Sequence, residues 1–195
     1  MRVPYDLKKI NYRHMNLIKI LSGLAILPIL GFSQVNTDWG VPYNEETKSI
    51  IYEEVVAVDG VAKDELYARG LNWINNYFTA GSNKISNKSK EEGIIELKDR
   101  LMFYKMEKKT KVTDVIIDYN MTILFKDGKI KYTITNFRAF QGSTSPHIEQ
   151  WMEVRYSDPE VAKIRFQKLN EEIEKLIDAL KKDIQISLVK DKDDW

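Results

Sequence analysis

There is no cysteine among the 195 residues. Disulfide staples are therefore excluded, and a stable domain has to rest on its core alone. The same absence removes the cysteine that bacterial lipidation needs directly after an export signal. Histidine is almost as scarce, with His14 and His147 the pair present. A histidine metal site would want a second ligand close to His147, and a Ser-His-Asp set would have to use it. Beside Pro146 it reads more simply as a solvated loop residue. No serine stands in a Gly-x-Ser-x-Gly elbow, and no glycine loop is patterned to cradle phosphate. Neither metal, cofactor nor catalytic residue is expected. Paired acids occur at Glu45-Glu46, Glu53-Glu54, Asp64-Glu65 and Glu91-Glu92. Strand neighbours point to opposite faces, however, and the other pairs read as solvated ends of elements.

A long apolar run is missing too. The longest, residues 20–32, is short of the ~20 residues that a membrane span needs, and Pro28 interrupts it. What it resembles is the centre of a secretory signal. Met15-Asn16-Leu17-Ile18-Lys19 gives a positive start, while Gly31 and Ser33 supply a small-x-small cleavage motif. This layout predicts residues 1–33 as a signal peptide, cut between Ser33 and Gln34. Residues 1–14 sit awkwardly in such a signal, so Met15 is an alternative start. A buried core helix is the competing reading, but Ser22-Gly23, Pro28 and Gly31 make poor helix interior.

Removing the signal changes the charge. Arg2, Lys8, Lys9, Arg13 and Lys19 against Asp6 make a net +4, so the full chain's +1 becomes −3. A mildly acidic protein has no bulk attraction for phosphate backbones, and nucleic acid is not an expected partner. The expectation is a soluble periplasmic or secreted protein, neither lipidated nor spanning a membrane once the signal is gone.

Beyond a polar leader at 34–48, the β-branched run from Ser49 to Val58 predicts a strand closed by Asp59-Gly60. A helix is expected over about 62–78, with Leu66, Gly70, Trp73 and Tyr77 on one stripe. Residues 80–90 read as a solvated loop. An extended segment follows from Gly93 to Met106, in which Asp99 falls on the apolar set of Ile95, Leu97, Leu101 and Phe103. A bulge near Lys98-Asp99 is therefore expected. The segment from Ile148 to Tyr156 is open between short helix and strand. Ser157-Asp158-Pro159-Glu160 is a helix start, and Ala162, Phe166, Leu169, Ile173, Leu176, Ile177, Leu180 and Ile184 form one stripe to about residue 187. The tail 189–195 reads as acidic and disordered, with Trp195 either a loose anchor or inert.

The clearest local pattern is the hairpin from Val115 to Phe137. Asp127-Gly128 favours a two-residue type I′ turn, which opposes Phe125 to Ile130, Ile123 to Tyr132 and Met121 to Ile134. These apolar pairs share one face. On the other face Thr122 meets Thr133, Asn120 meets Thr135, and Asp118 faces Phe137. Asn120, Thr122, Thr133, Thr135 and Phe137 thus form a candidate partner surface, against the plainer reading of a solvated face. Carried on, the register puts Asn136 and Arg138 on the core face. Either the sheet ends or bulges there, or the two residues rim a cleft between sheet and terminal helix.

Thr47, Ile51-Tyr52-Glu53-Glu54-Val55-Val56, Val58-Asp59-Gly60, Lys63-Asp64-Glu65-Leu66-Tyr67 and Arg69 together resemble the opening of a domain family of unknown function. The hairpin from Asp127 to Phe137 looks like its second marker. That family occurs in exported proteins of the Bacteroidota and is described as having a TBP-like fold. The likeness covers roughly residues 40–188, with one departure at Ala62, where a serine-like helix cap would be more comfortable. The resemblance implies a fold and a compartment but no activity. In TBP-like folds the uncovered sheet surface is a natural binding saddle. The DNA-binding version wants basic residues and apolar wedges, which Asn120, Asp118 and the threonines do not supply.

The fold expected is α+β, an antiparallel meandering sheet with helices on one face in β-α-β-β-β-α order, as a single domain over 49–188. The function expected is a non-catalytic binding or docking module of the bacterial periplasm, taking a protein, peptide or glycan. A periplasmic hydrolase using convergent carboxylates, or a structural part of an envelope assembly, are the alternatives.

Overall fold

The structure, a computed structural model, describes residues 35–36, 38–140 and 142–188. The signal segment with its cut between Ser33 and Gln34, and the tail with Trp195, lie outside them. In chain order the elements are β1 (Val35–Asn36), β2 (Val41–Asn44), β3 (Ser49–Ile50), β4 (Tyr52–Ala57), α1 (Lys63–Tyr77), β5 (Ile85–Ser89), β6 (Ile94–Glu107), β7 (Thr110–Lys126), β8 (Lys129–Phe140) and α2 (Pro159–Ile184), with 3₁₀ turns at Gly81–Lys84 and Ile148–Met152.

Alternation of apolar and polar residues makes β7 a single strand of 17 residues. It lies at the centre of an antiparallel sheet ordered β4-β8-β7-β6-β5. Its inward side chains, from Val115 through Ile117, Tyr119, Met121 and Ile123 to Phe125, are buried under α1 and α2. This is the α+β layer expected. The α2 stripe from Ala162 to Ile184 is buried as its spacing predicts, and Asp158 caps the helix by accepting from the Glu160 and Val161 amides. A small sheet, β1-β2-β3, closes one end of the core, where Val41 and Ile50 are fully buried and Trp39 packs edge-on against Phe166.

The uncomfortable cap at Ala62 has a remedy from far along the chain. Ala62 makes no side-chain cap, but Asp127 Oδ1 accepts from the Lys63 amide at 2.7 Å. The Gly128 amide donates to the Val61 carbonyl and the Val58 amide to the Gly128 carbonyl. One hairpin turn therefore both reverses the chain and starts a helix. Gly70 lets that helix reach the sheet, since a Cβ there would lie 2.5 Å from Phe125 Cζ.

Four local expectations need correction. The strand expected over 49–58 is divided at Ile51 between β3 and β4. The stretch 80–90 contains β5, an edge strand whose Ser86, Asn87 and Lys88 hide its pairing with β6. No bulge occurs at Lys98-Asp99: Asp99 stays in register with Tyr119, and the irregularity lies at Phe103/Tyr104. Asp99 is tolerated on the inner face because Lys84 pairs with it.

The fourth correction concerns the far end of the β7–β8 hairpin. The near pairs hold as expected, down to Asn120 opposite Thr135. Then Asn136 and Phe137 together oppose Tyr119, and Asp118 faces Arg138 rather than Phe137. Asn136 has φ +58°, the left-handed conformation that opens such a bulge. Every later residue changes face. Phe137 turns inward and is fully buried, ringed by Tyr52 and Tyr119, while Arg138 and Phe140 turn outward.

Candidate functional site

Three regions offer polar chemistry. The first is the open sheet face. Asn120, Thr122, Thr133 and Thr135 stand together there, each half-buried, but Phe137 is not among them. Ion pairs across strands tie this face together. Arg100 grips Asp118 through Nε at 2.9 Å and Nη2 at 3.2 Å, and Glu53 accepts from Lys131 and from the Thr133 hydroxyl. It is a cross-linked surface, and Asn120, Thr122, Thr133 and Thr135 line neither of the two concavities that follow.

The second region is a cavity of about 260 Å³ between the C-terminal end of α1, the inner sheet face and α2, lined in part by Tyr77, Lys84, Asp99, Tyr119 and Glu172. Its carboxylates are already engaged. Asp99 takes Lys84 on one oxygen and faces the Tyr119 hydroxyl at 3.4 Å on the other, and Glu172 pairs with Lys175. Burial, reinforced by Asp99, pushes the Tyr119 hydroxyl well above its ordinary value, so it stays a neutral donor.

The third is a groove of about 500 Å³ between the β2–β3 turn and the 3₁₀ turn at Ile148–Met152, lined in part by Tyr43, Lys48, Ser49, His147 and Glu149. The 3₁₀ turn is held down by buried Ile148 and Trp151, which fixes Glu149 between them. Glu149 is 12 % exposed. Its Oε1 accepts from the Ile50 amide at 2.8 Å, while Oε2 is buried without a hydrogen-bond partner among the described residues. The other atom in that condition, Trp73 Nε1, sits among the rings of Tyr77 and Phe78.

His147 lies beside that orphaned oxygen, with Nδ1 at 3.9 Å. Its Nε2 is 2.8 Å from Arg138 Nη2, and because a guanidinium only donates, Nε2 must accept. The ring proton is then on Nδ1, facing Glu149. Arg138 also donates to Asn136 Oδ1 and to the Ser145 carbonyl. Asn136 and Arg138 line neither concavity; they form a bracket behind His147, which does line the groove. Burial raises the Tyr43 hydroxyl pKa, with Lys48 opposing and Glu45 and Glu149 adding to the rise. Glu149 escaped the sequence reading because its partner, Ile50, is 99 residues away.

Residues 52–140 match the model of a family described as a domain of unknown function (DUF4468) with TBP-like fold. Two solved structures share this chain's fold. A TBP-like protein from Parabacteroides distasonis superposes with TM-score 0.60 at 14 % identity, covering 75 % of this chain and 98 % of its own. A DUF4468 family protein from Bacteroides ovatus does so with TM-score 0.60 at 11 % identity, covering 77 % and 93 %. A comparison with curated proteins returns no match. The family match is narrower than the 40–188 suggested by resemblance. The open sheet face falls within the matched DUF4468 residues, whereas Tyr43, Lys48, His147 and Glu149 come from its two flanks. Among the described residues no group of histidine, aspartate and glutamate could hold a metal ion, and no helix is long and apolar enough to cross a membrane.

Proposed function

We propose that the protein is an exported, non-catalytic binding module of the bacterial periplasm, and that its seat is the groove at Glu149. The observation that carries this reading is Glu149 Oε2, buried at the groove without a hydrogen bond among the described residues, with His147 Nδ1 3.9 Å away. A buried carboxylate oxygen left without a donor costs about 1–3 kcal/mol or more, and an incoming N–H or O–H group recovers it. A protein, peptide or glycan of the cell envelope brings such donors. His147 beside Oε2 adds a second polar contact. Export rests on the signal pattern of residues 15–34, and mass spectrometry of the exported protein is expected to find Gln34 at its N-terminus.

The test is a crosslinking pull-down from periplasm, comparing the native protein with Glu149→Gln. The substitution keeps the Oε1 acceptor for Ile50 and replaces the free oxygen with a donor. Loss of captured partner in the variant, with unchanged thermal unfolding, supports the seat; equal capture by both overturns it. The hydrolase alternative draws on one observation, that Asp99 and Glu172 line a single cavity. Their lysine partners favour a structural role for both.

A further inference from the structure

The end of the β6–β7 hairpin opposite to the sheet's fixed turns has no role in any of the three regions above. Strand β8 accompanies β7 only as far as Phe140 opposite Ile116, while β6 continues to pair with β7 out to Glu107 opposite Thr110. Among the described residues the last part is thus a free two-stranded ribbon. From Tyr104 to Thr113 every residue except Val112 is exposed. Alternation places Met102, Tyr104 and Met106 on one face of β6. Ile116 lies beside Met102, and the bulge at Asn136 turns Phe140 outward beside Ile116. Phe140, Ile116, Met102, Tyr104 and Met106 therefore make one apolar stripe running from the sheet body to the ribbon tip. Four of its members, all but Ile116, are 40–66 % exposed. A contiguous stripe of this kind on a solvated edge is an aggregation liability unless something covers it.

The stripe has a basic border. Lys108 and Lys109 form the tip, Lys111 lies over the Tyr104 ring at 4.2 Å, and Arg100 lies over the Phe140 ring at 5.9 Å. Lys108 holds φ +57°, a conformation in which glycine or asparagine would be relaxed. The hairpin at the other end of β7 uses Gly128 at φ +72°. A lysine stands where the backbone prefers another residue, which points to use of its charge. The ribbon is also presented firmly. Asp114, the extra residue of the bulge at its root, is gripped by Arg165 of α2 through two hydrogen bonds of 3.0 Å.

We infer that this ribbon docks the protein onto an anionic lipid surface, with the methionines and aromatics entering the boundary between headgroups and acyl chains and the lysines contacting the headgroups. Charge and shape select this occupant. A second copy pairing tip to tip would bring Lys108, Lys109 and Lys111 against themselves. Nucleic acid would satisfy the lysines but leave Met102, Met106 and Phe140 wet. An anionic lipid layer covers both, and a projecting tip reaches it without a matching concavity. Each lysine near such a surface contributes about 1 kcal/mol, so the tip pair supports roughly thirtyfold in partitioning.

The test is cosedimentation of the purified protein with sucrose-loaded vesicles of phosphatidylcholine, with and without phosphatidylglycerol. Binding to the phosphatidylglycerol vesicles alone is expected, weakened by salt. It should fall about thirtyfold in the double variant Lys108→Ala, Lys109→Ala. Met106→Trp should shift its fluorescence to the blue on those vesicles. Glu149→Gln should leave vesicle binding unchanged, which separates this site from the groove. Absence of binding at low salt, binding untouched by the double alanine variant, equal or tighter binding to a DNA duplex, or a dimer dissolved by Met106→Ser would each overturn the inference.

Discussion

The two hairpins that share β7 are built to opposite ends. At one end Asp127-Gly128 turns the chain with residues suited to it and ties it to the body: Asp127 caps α1 and Gly128 bonds to both Val58 and Val61. At the other end the turn is Lys108-Lys109, strained at Lys108 and exposed, with the Asp114–Arg165 pair anchoring the ribbon at its root. The difference teaches that turn chemistry reports purpose. A turn that must hold a fold together uses the residues its backbone favours. A turn that presents something outward departs from them and relies on anchoring elsewhere.

Four substitutions would break or sharpen that contrast. Phe137→Ala should be the most damaging, at about 3–5 kcal/mol in urea unfolding, because the bulge sends this ring into the core of the anchored hairpin. Were it on the open face, as simple alternation suggests, the cost would be slight. Asp114→Ala, at the root of the projecting hairpin, should cost about 2 kcal/mol. Hydrogen bonds from Arg165 hold the Asp114 carboxyl below its ordinary value of 3.8. A group whose folded value is depressed contributes its full stabilisation above the unfolded value and loses it as pH falls through the folded one. The wild type should therefore weaken on acidification below about pH 4 through a step that the variant lacks. Acid titration at constant urea reads this directly.

Asp127→Ala should cost about 1 kcal/mol, the usual value of a lost helix cap, with faster hydrogen exchange at the Lys63 amide. Full protection of that amide in the variant would show that the turn does not cap α1. Smallest, and opposite in sign, is Lys108→Gly. Relief of the left-handed conformation should stabilise the protein by about 0.5–1 kcal/mol. If glycine is neutral or harmful there, the tip is not strained and the contrast between the two turns weakens.

Much of the scaffold could be read from local pattern. The β7–β8 register followed from Asp127-Gly128 and from strict alternation, and the α2 stripe from 3.6-residue spacing, because in both cases the information lies within a few residues. The parts that escaped are those decided at long range. Asn136 enters a left-handed bulge because Phe137 has a pocket between Tyr52 and Tyr119, and nothing near Asn136 announces that pocket. Asp99 keeps its register because Lys84 arrives from another strand's approach. The polar edge strand β5 lacks an apolar face of its own and looks like loop. Of the groove, Arg138 stood out as misplaced in the extended register, but Glu149 gave no local signal, since its meaning depends on an amide from β3.

One more consequence belongs to the bulge. Because the bulge absorbs one extra residue, deleting Asn136 would leave the pairing on both sides of it in place. Phe137 would then stand opposite Tyr119 in unbroken alternation and stay inward, with Arg138 still opposite Asp118 and Phe140 still opposite Ile116 and outward. Position 136 is therefore a place where a one-residue change in chain length can be taken up without altering which surface a relative displays. Closing the bulge at constant length would do the opposite and turn Phe137 out to face Asp118, and sequence alignments that slide a gap past this position would mispair buried residues with exposed ones.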